Sequence, residues 1–124
     1  MKLQETKAPE SYAITHCGDG YILLNKEMRI ESGIVVMPDR IVENWGTAGF
    51  DGLTLTDVET LRDLGVSIVL IGTGPRQRFP HPSLLRPLME ARIGFEIMNL
   101  AAACRTYNVL MAEGRSVAAA LLFA

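Results

Sequence analysis

The sequence predicts an α/β fold of three layers, in which helices pack on a central mixed β-sheet that follows an N-terminal antiparallel meander. Two observations lead to this fold class. Between residues 12 and 45, short apolar runs alternate with turn residues, which is typical of antiparallel strands joined by tight turns. From residue 66 onward, apolar runs alternate with helical patterns, which indicates parallel strands joined by right-handed crossovers.

The meander is expected to contain three or four strands. In its third run, alternate residues such as Met28 and Ile30 are apolar and the residues between them are charged. One face of this sheet should therefore be exposed to water. The four apolar runs are YAITHC (12–17), YILLN (21–25), MRIESGIVVM (28–37) and IVENW (41–45).

The second half begins with a short helix. Thr56 and Glu59 have the spacing of a capping box, which predicts a helix that ends at Gly65. The run SIVLIG (67–72) has no polar residue after Ser67, so it is the candidate central strand, covered on both faces. The later elements are expected to be a helix over SLLRPLMEAR (83–92), kinked or shortened by Pro87, the strand IGFEIM (93–98), a helix capped by Asn99 and ended by Gly114, and the strand SVAAALLF (116–123).

Composition favours an ordinary globular protein. The 124 residues fit a single α/β domain over residues 12–124, preceded by a flexible arm over residues 1–11 that lacks the apolar segment of a signal peptide. No apolar run approaches the roughly 18 residues of a membrane span. The two cysteines, Cys17 and Cys104, are too few for a disulfide framework and favour free thiols in a reducing, cytoplasmic compartment.

Charge is distributed unevenly along the chain. Residues 1–64 carry six basic and eleven acidic side chains, whereas residues 65–124 carry six arginines and three glutamates. Because arginine binds planar anions through two parallel donors, this half suits a small anion or an acidic partner. The net charge of −2 argues against a protein that wraps nucleic acid.

The candidate site is the sequence GTGPRQR (72–78), called here the GTG loop. Its glycines resemble a phosphate-binding loop, but Gly74 is followed by Pro75, so the Walker and dinucleotide patterns both fail and no nucleotide cofactor is expected. Gly72 and Gly74, on either side of Thr73, still allow backbone amides to be exposed at the end of a buried strand, where open α/β sheets bind ligands.

Arg76 and Arg78 lie in the same loop, which makes an anion site physically reasonable. In the alternative interpretation, the glycines and prolines only shape a stiff turn, and the arginines cover neighbouring side chains or pair with the acidic first half. The sequence leaves both interpretations open.

A second group of polar residues lies in AACRTYN (102–108). Helical spacing puts Arg105 and Asn108 on the face opposite the apolar residues, where both can act on one partner. Cys104 lies at the border of the apolar face, and no pattern supplies it with a base, so a packed cysteine is favoured over a nucleophile. No metal site is expected, because His16 and Cys17 are adjacent in a strand and point to opposite faces.

Two motifs, GTGPRQRFP (72–80) and ACRTYNVLMAEGR (103–115), resemble the Mth938-like family of domains of unknown function, which contains the mitochondrial NADH dehydrogenase (complex I) assembly factor 3. The resemblance covers about residues 14–122. It implies a three-layer fold with a central mixed sheet and action through protein partners. The chain lacks the mitochondrial targeting extension, which favours a bacterial protein. Residues 98–100 read Met-Asn-Leu where the family pattern more often has Met-Asp-Thr, which would weaken a site that needs that carboxylate.

Three functional hypotheses follow. In the first, the protein is a non-enzymatic binding or assembly-factor-like module that holds a small anion or an acidic peptide at the GTG loop. In the alternative, it is an enzyme acting on a small anionic substrate, with Cys104 or the pair Arg105 and Asn108 in the site. In the third, which is compatible with the first, the chain forms a homo-oligomer through its meander or its last strand. No cofactor is expected in any of them.

Overall fold

Residues 11–124, the part of the chain described by the computed structural model, form eight strands and three helices. The predicted flexible arm lies outside these residues except for Ser11. The elements are β1 (Ile14–Gly18), β2 (Tyr21–Leu24), β3 (Met28–Ile30), β4 (Ile34–Val36), β5 (Ile41–Glu43), α1 (Leu55–Arg62), β6 (Ile68–Thr73), α2 (Pro82–Glu90), β7 (Gly94–Met98), α3 (Leu100–Ala112) and β8 (Val117–Leu122).

The strands form two sheets. An antiparallel sheet has the order β1-β2-β3, and the central sheet has the order β5-β4-β8-β6-β7. In the central sheet, β4 is antiparallel to both of its neighbours, β5 and β8, while β6 is parallel to both of its neighbours, β8 and β7. The predicted α/β fold with an N-terminal meander and a central mixed sheet is therefore confirmed.

The predicted run 28–37 is two strands instead of one. Its first part, β3, completes the meander, and its second part, β4, joins the central sheet beside β8. Gly33 lies between them, and a Cβ there would be 1.7 Å from the carbonyl oxygen of Trp45. The chain changes sheets at this point because only glycine lets the two backbones approach so closely.

The domain has three layers, with the central sheet in the middle. The meander and α3 cover one face, and α1 and α2 cover the other. Strand β6 has Leu70 in the first apolar cluster and Val69 and Ile71 in the second, which confirms a strand covered on both sides. Burial of side chains of this size contributes about 1.5–3 kcal/mol each.

Both predicted boundaries of α3 are confirmed. The Asn99 side chain accepts a hydrogen bond from the Ala102 amide at 2.8 Å, and Gly114 follows α3 with a φ of +76°. The predicted capping box of α1 is wrong, because the box is formed by Thr54 and Asp57.

Packing explains the shift in α1. A start at Thr54 places Leu53 before the cap and Val58 at the fourth helical position, and both are buried in the same cluster. This pair is a hydrophobic staple, which a start at Thr56 would break. Helix α2 continues past Pro87 to Glu90.

Candidate functional site

The GTG loop begins with Gly72 and Thr73, the last two residues of β6, and continues beyond the carboxyl end of the central parallel strands. Gly74 has a φ of +88°, a backbone conformation that costs conformational free energy for residues other than glycine. Its carbonyl oxygen accepts a hydrogen bond of 2.8 Å from the amide of Leu100, the first residue of α3. The turn in the loop is therefore bonded directly to the start of this helix.

Thr73 fixes the shape of the loop from inside. It is fully buried, and its hydroxyl accepts a hydrogen bond from the Arg78 amide at 3.0 Å. The same hydroxyl lies 2.6 Å from the carbonyl oxygen of Arg76 and 3.3 Å from that of Met98, to which it can donate. Because the hydroxyl is buried and its proton is engaged by backbone carbonyls, Thr73 acts as a brace for the loop and is not accessible to a ligand.

The two arginines of the loop differ in their surroundings. The Arg78 guanidinium lies over the ring of Phe50, 4.3 Å from its centroid, and 3.7 Å from a carboxylate oxygen of Asp51. These contacts are the packing and pairing that the alternative interpretation gave to the arginines. Arg76 is exposed and makes no ion pair within residues 11–124.

A cavity of about 130 Å³ lies between the GTG loop, the β1–β2 turn and the start of α3. Among the first amides of α3, that of Leu100 is bonded to Gly74 and that of Ala102 to Asn99. The amide of Ala101, which lines the cavity, has no acceptor in the described chain. It is a donor at the positive end of the helix dipole.

Arg105 and Asn108 line a different cavity, a groove of about 320 Å³ between β1 and α3. The Asn108 side chain accepts a hydrogen bond from the Ile14 amide at 3.0 Å and donates one to the Ile14 carbonyl at 2.6 Å. Asn108 thus joins α3 to the edge of β1. The Arg105 side chain is exposed.

The structure does not place all seven predicted site residues around one opening. Gly74 and its neighbour Pro75 line the smaller cavity, whereas Arg105 and Asn108 line the larger groove. The two openings nevertheless adjoin, because Cys17 and Ala101 line both. The ligand-binding role of the seven predicted residues stays a prediction. These residues are Gly72, Thr73, Gly74, Arg76, Arg78, Arg105 and Asn108.

Sequence reasoning missed the contribution of the β1–β2 turn. Gly18, Asp19 and Gly20 form one wall of the smaller cavity, and Phe123 forms part of another. The GDG sequence indicates a turn but carries no signal of what it faces. Only the packing of β1 against α3, far apart in the chain, brings the turn to the GTG loop.

The thiol of Cys104 is buried in the apolar cluster beneath α3. Burial raises the pKa of Cys104, the neighbouring thiol of Cys17 raises it further, and Arg105 opposes both to a smaller extent. Cys104 is therefore a neutral thiol at physiological pH, whereas a nucleophilic cysteine needs a thiolate. Burial also raises the pKa of Tyr107, whose hydroxyl donates to the Tyr12 carbonyl at 2.6 Å.

Residues 11–124 contain neither a candidate metal site nor a membrane-spanning helix. This part of the chain contains no group of three or more histidine, cysteine, aspartate or glutamate side chains arranged to hold a metal ion. None of its three helices has the length and apolar composition needed to cross a membrane.

Together the fold and the cavities define a small three-layer α/β domain, with the GTG loop bonded to the start of a packed helix. The family model described as a protein of unknown function (DUF498/DUF598) matches residues 14–122. The chain therefore belongs to this family, as the two motifs predicted.

Solved structures of similar proteins share the fold. A crystal structure of a Bordetella parapertussis protein is 37% identical, with a TM-score of 0.85, and covers 95% of this chain and 100% of that one. A solution structure of a Bordetella pertussis protein, described as a Mth938-like domain, is 32% identical, with a TM-score of 0.76, and covers 98% of this chain and 92% of that one.

A curated relative is the NADH dehydrogenase [ubiquinone] 1 alpha subcomplex assembly factor 3 of Xenopus tropicalis. It is 25% identical over 123 residues, which is 98% of this chain. The chain spans 66% of the length of that relative.

Proposed function

We propose that this protein is a non-enzymatic binding module, similar in kind to an assembly factor, that holds an acidic segment of a protein partner between the GTG loop and Arg105. A small anion with carboxylate-like chemistry would use the same donors. The observation that carries the proposal is the adjoining pair of cavities, which share the wall formed by Cys17 and Ala101.

The two openings favour an extended ligand over a single ion. Together they run from Gly74 along α3 to Arg105, and their combined size is that of a site for a few residues of peptide. A carboxylate at the smaller cavity would meet the free amide of Ala101 at the positive end of the helix dipole. A second carboxylate would meet the exposed guanidinium of Arg105.

The side chains that an enzyme would need are engaged elsewhere. Cys104 is a buried neutral thiol, and both polar atoms of the Asn108 amide are bonded to Ile14. The hydroxyl of Thr73 is buried and bonded to the backbone. These assignments support binding over catalysis by the predicted residues.

The family comparison supports a protein as the ligand. The name of the Xenopus tropicalis relative describes an assembly factor, which supports a protein partner for this chain. The free thiols of Cys17 and Cys104 support a reducing, cytoplasmic compartment for this chain.

The proposal can be tested with a fluorescein-labelled peptide that alternates aspartate and alanine, measured by fluorescence anisotropy with the full chain. Arg105→Ala should weaken binding about tenfold, which corresponds to the loss of one charge-assisted hydrogen bond. Asp19→Asn should strengthen binding by about twofold or more, because it removes a like charge from the wall of the smaller cavity.

Arg86→Ala is the matched control, since Arg86 is exposed on α2, outside both cavities. It should leave the affinity unchanged. Equal losses in Arg86→Ala and Arg105→Ala would show attraction to net charge alone. Unchanged affinity in both Arg105→Ala and Asp19→Asn would refute a site in this groove.

A further inference from the structure

Strand β7 is an open edge of the central sheet. It is hydrogen-bonded to β6 on one side, and the order β5-β4-β8-β6-β7 leaves its other side without a strand. The Gly94 amide donates to the Ser67 carbonyl at 3.0 Å, so the backbone groups of Gly94, Glu96 and Met98 face β6. Those of Phe95 and Ile97 therefore face outward.

Part of this edge is already covered. The Gln77 side chain donates a hydrogen bond of 2.8 Å to the Ile97 carbonyl. The amide and carbonyl of Phe95 and the amide of Ile97 have no hydrogen-bond partner in residues 11–124. An edge with this set of free donors and acceptors is a template for another strand.

An apolar groove of about 350 Å³ runs beside the same edge. Helix α3 packs mainly on β6 and β8, which leaves most of β7 uncovered on the face of the sheet where α3 lies. The floor is formed by Ile68, Leu70 and Gly94, and the wall by Thr106 and Leu110.

Gly94 leaves the groove open because it has no side chain. Its φ lies outside the left-handed region, and a Cβ there would meet only the Ser67 carbonyl oxygen, at 3.6 Å, which is ordinary contact. The local backbone therefore does not require glycine at this position. A side chain would instead occupy the groove.

Glu96 determines the kind of strand that fits. It is exposed on the groove side of β7, and it forms no ion pair in the part of the chain that the structure describes. A second copy of β7 that used the free groups of both Phe95 and Ile97 would pair about a twofold axis at Glu96. Two carboxylates would then lie directly opposite each other, which destabilises a strand pair. A strand with a cation at this place is complementary.

We propose that β7 is a docking edge that receives an extended segment of another protein by strand addition. Side chains of the added strand that lie on the groove side would face Gly94, Glu96 and Met98 in turn. The segment therefore has an apolar, a basic and an apolar residue at alternate positions, and the apolar residue opposite Gly94 fills the space above it. This edge uses none of the residues assigned to the acidic ligand.

The test uses two labelled ten-residue peptides that share polar flanks and differ at one central position. One has the core Val-Thr-Lys-Thr-Val and the other has the core Val-Thr-Glu-Thr-Val. Fluorescence anisotropy with the full chain should show that the lysine peptide binds about tenfold more tightly or better. Glu96→Lys should reverse this preference.

Gly94→Val is the key variant, because it should block the groove and leave the fold at least as stable. Valine favours strands and glycine disfavours them, so thermal unfolding should show a midpoint that is unchanged or raised. Binding of the lysine peptide should fall about tenfold or more. A lysine peptide N-methylated at the residues whose amides face β7 should also bind at least about tenfold more weakly, because strand addition depends on backbone hydrogen bonds.

Three results would overturn the proposal. One is that neither peptide binds with a Kd below about 1 mM. Another is a lysine preference that Glu96→Lys or Gly94→Val leaves intact. The third is a dimer of the chain, seen by light scattering, that Gly94→Val dissociates, because a second copy would then occupy the edge. Arg105→Ala should not change binding of the lysine peptide, which separates this edge from the acidic-ligand groove.

Discussion

Replacing Gly74 by valine should destabilise the fold by an amount that the geometry of the GTG loop sets. The φ of +88° costs a residue with a Cβ about 1–2 kcal/mol. Valine would also press its methyl groups toward the backbone of residues 123 and 124, whose nearest atoms lie 3.5 Å from the position of the Cβ. Displacement of the loop would lose the Gly74–Leu100 hydrogen bond, which contributes about 0.5–1.5 kcal/mol.

The expected total is a loss of about 2–3 kcal/mol in the free energy of unfolding. With an m-value of about 1.5 kcal/mol per molar urea, the midpoint of urea unfolding should fall by about 1.3–2 M. Circular dichroism or the fluorescence of Trp45 measures this transition. Gly74→Asn should lose less, because asparagine tolerates a positive φ.

Gly65→Val is the matched control. Gly65 has a φ of +82°, and a Cβ there would meet no heavy atom within 4 Å, so this variant measures the backbone cost alone. Gly74→Val should exceed it by about 1 kcal/mol. Equal losses at the two positions would refute the argument that the bond between the loop and α3 contributes to stability.

Three further predictions concern groups that sequence reasoning placed in or near the site. Asn108→Ala should lower the free energy of unfolding, measured by urea denaturation, by about 2–4 kcal/mol, because it leaves the Ile14 amide and carbonyl without partners. A loss below about 0.5 kcal/mol would contradict the role of Asn108 in joining β1 to α3. Thr73→Val should cost about 1–3 kcal/mol in the same assay, whereas Thr73→Ser should recover most of the stability, because serine keeps the hydroxyl. In the folded chain at pH 8, iodoacetamide should modify Cys104 far more slowly than Cys17, because Cys104 is buried and its pKa is raised. The difference should disappear in urea. Comparable rates in the folded chain would contradict this assignment.

The raised pKa of Cys104 also predicts a pH dependence of stability. The folded state favours the neutral thiol, while the unfolded thiol ionises near pH 8.5. The contribution of Cys104 is therefore fully present below that pH and declines as the pH rises above it. Cys104→Ala should make the decline in unfolding free energy between pH 8 and 10 shallower, and an unchanged slope would contradict this assignment.

The parts of the fold that were predictable have strong local signals. The uninterrupted apolar run in β6 predicted a strand buried on both faces, and Asn99 predicted the start of α3. The capping box of α1 was misplaced because Thr54 and Thr56 both precede an acidic residue three positions on. The apolar pair Leu53 and Val58, buried in the same cluster, has the staple spacing of a start at Thr54, whereas a start at Thr56 would pair Leu55 with the polar Thr60.

The site was less predictable because its geometry depends on contacts between distant segments. The pattern of α3 put Asn108 on its polar face, but the pattern could not show that the edge of β1 lies there with an unbonded backbone. The two arginines of the GTG loop look equivalent in the sequence. They differ because Phe50 and Asp51 lie beside Arg78.

The place of β8 in the central sheet has a consequence for folding. This strand follows every other element in the described chain, yet it lies between β4 and β6 at the middle of the sheet. Its pairing of Ile34 with Leu121 joins residues that are far apart in the sequence, and such distant contacts slow the search for the native topology. The meander, whose strands are neighbours in sequence, has no such delay. It should therefore form before β8 takes its place in the central sheet.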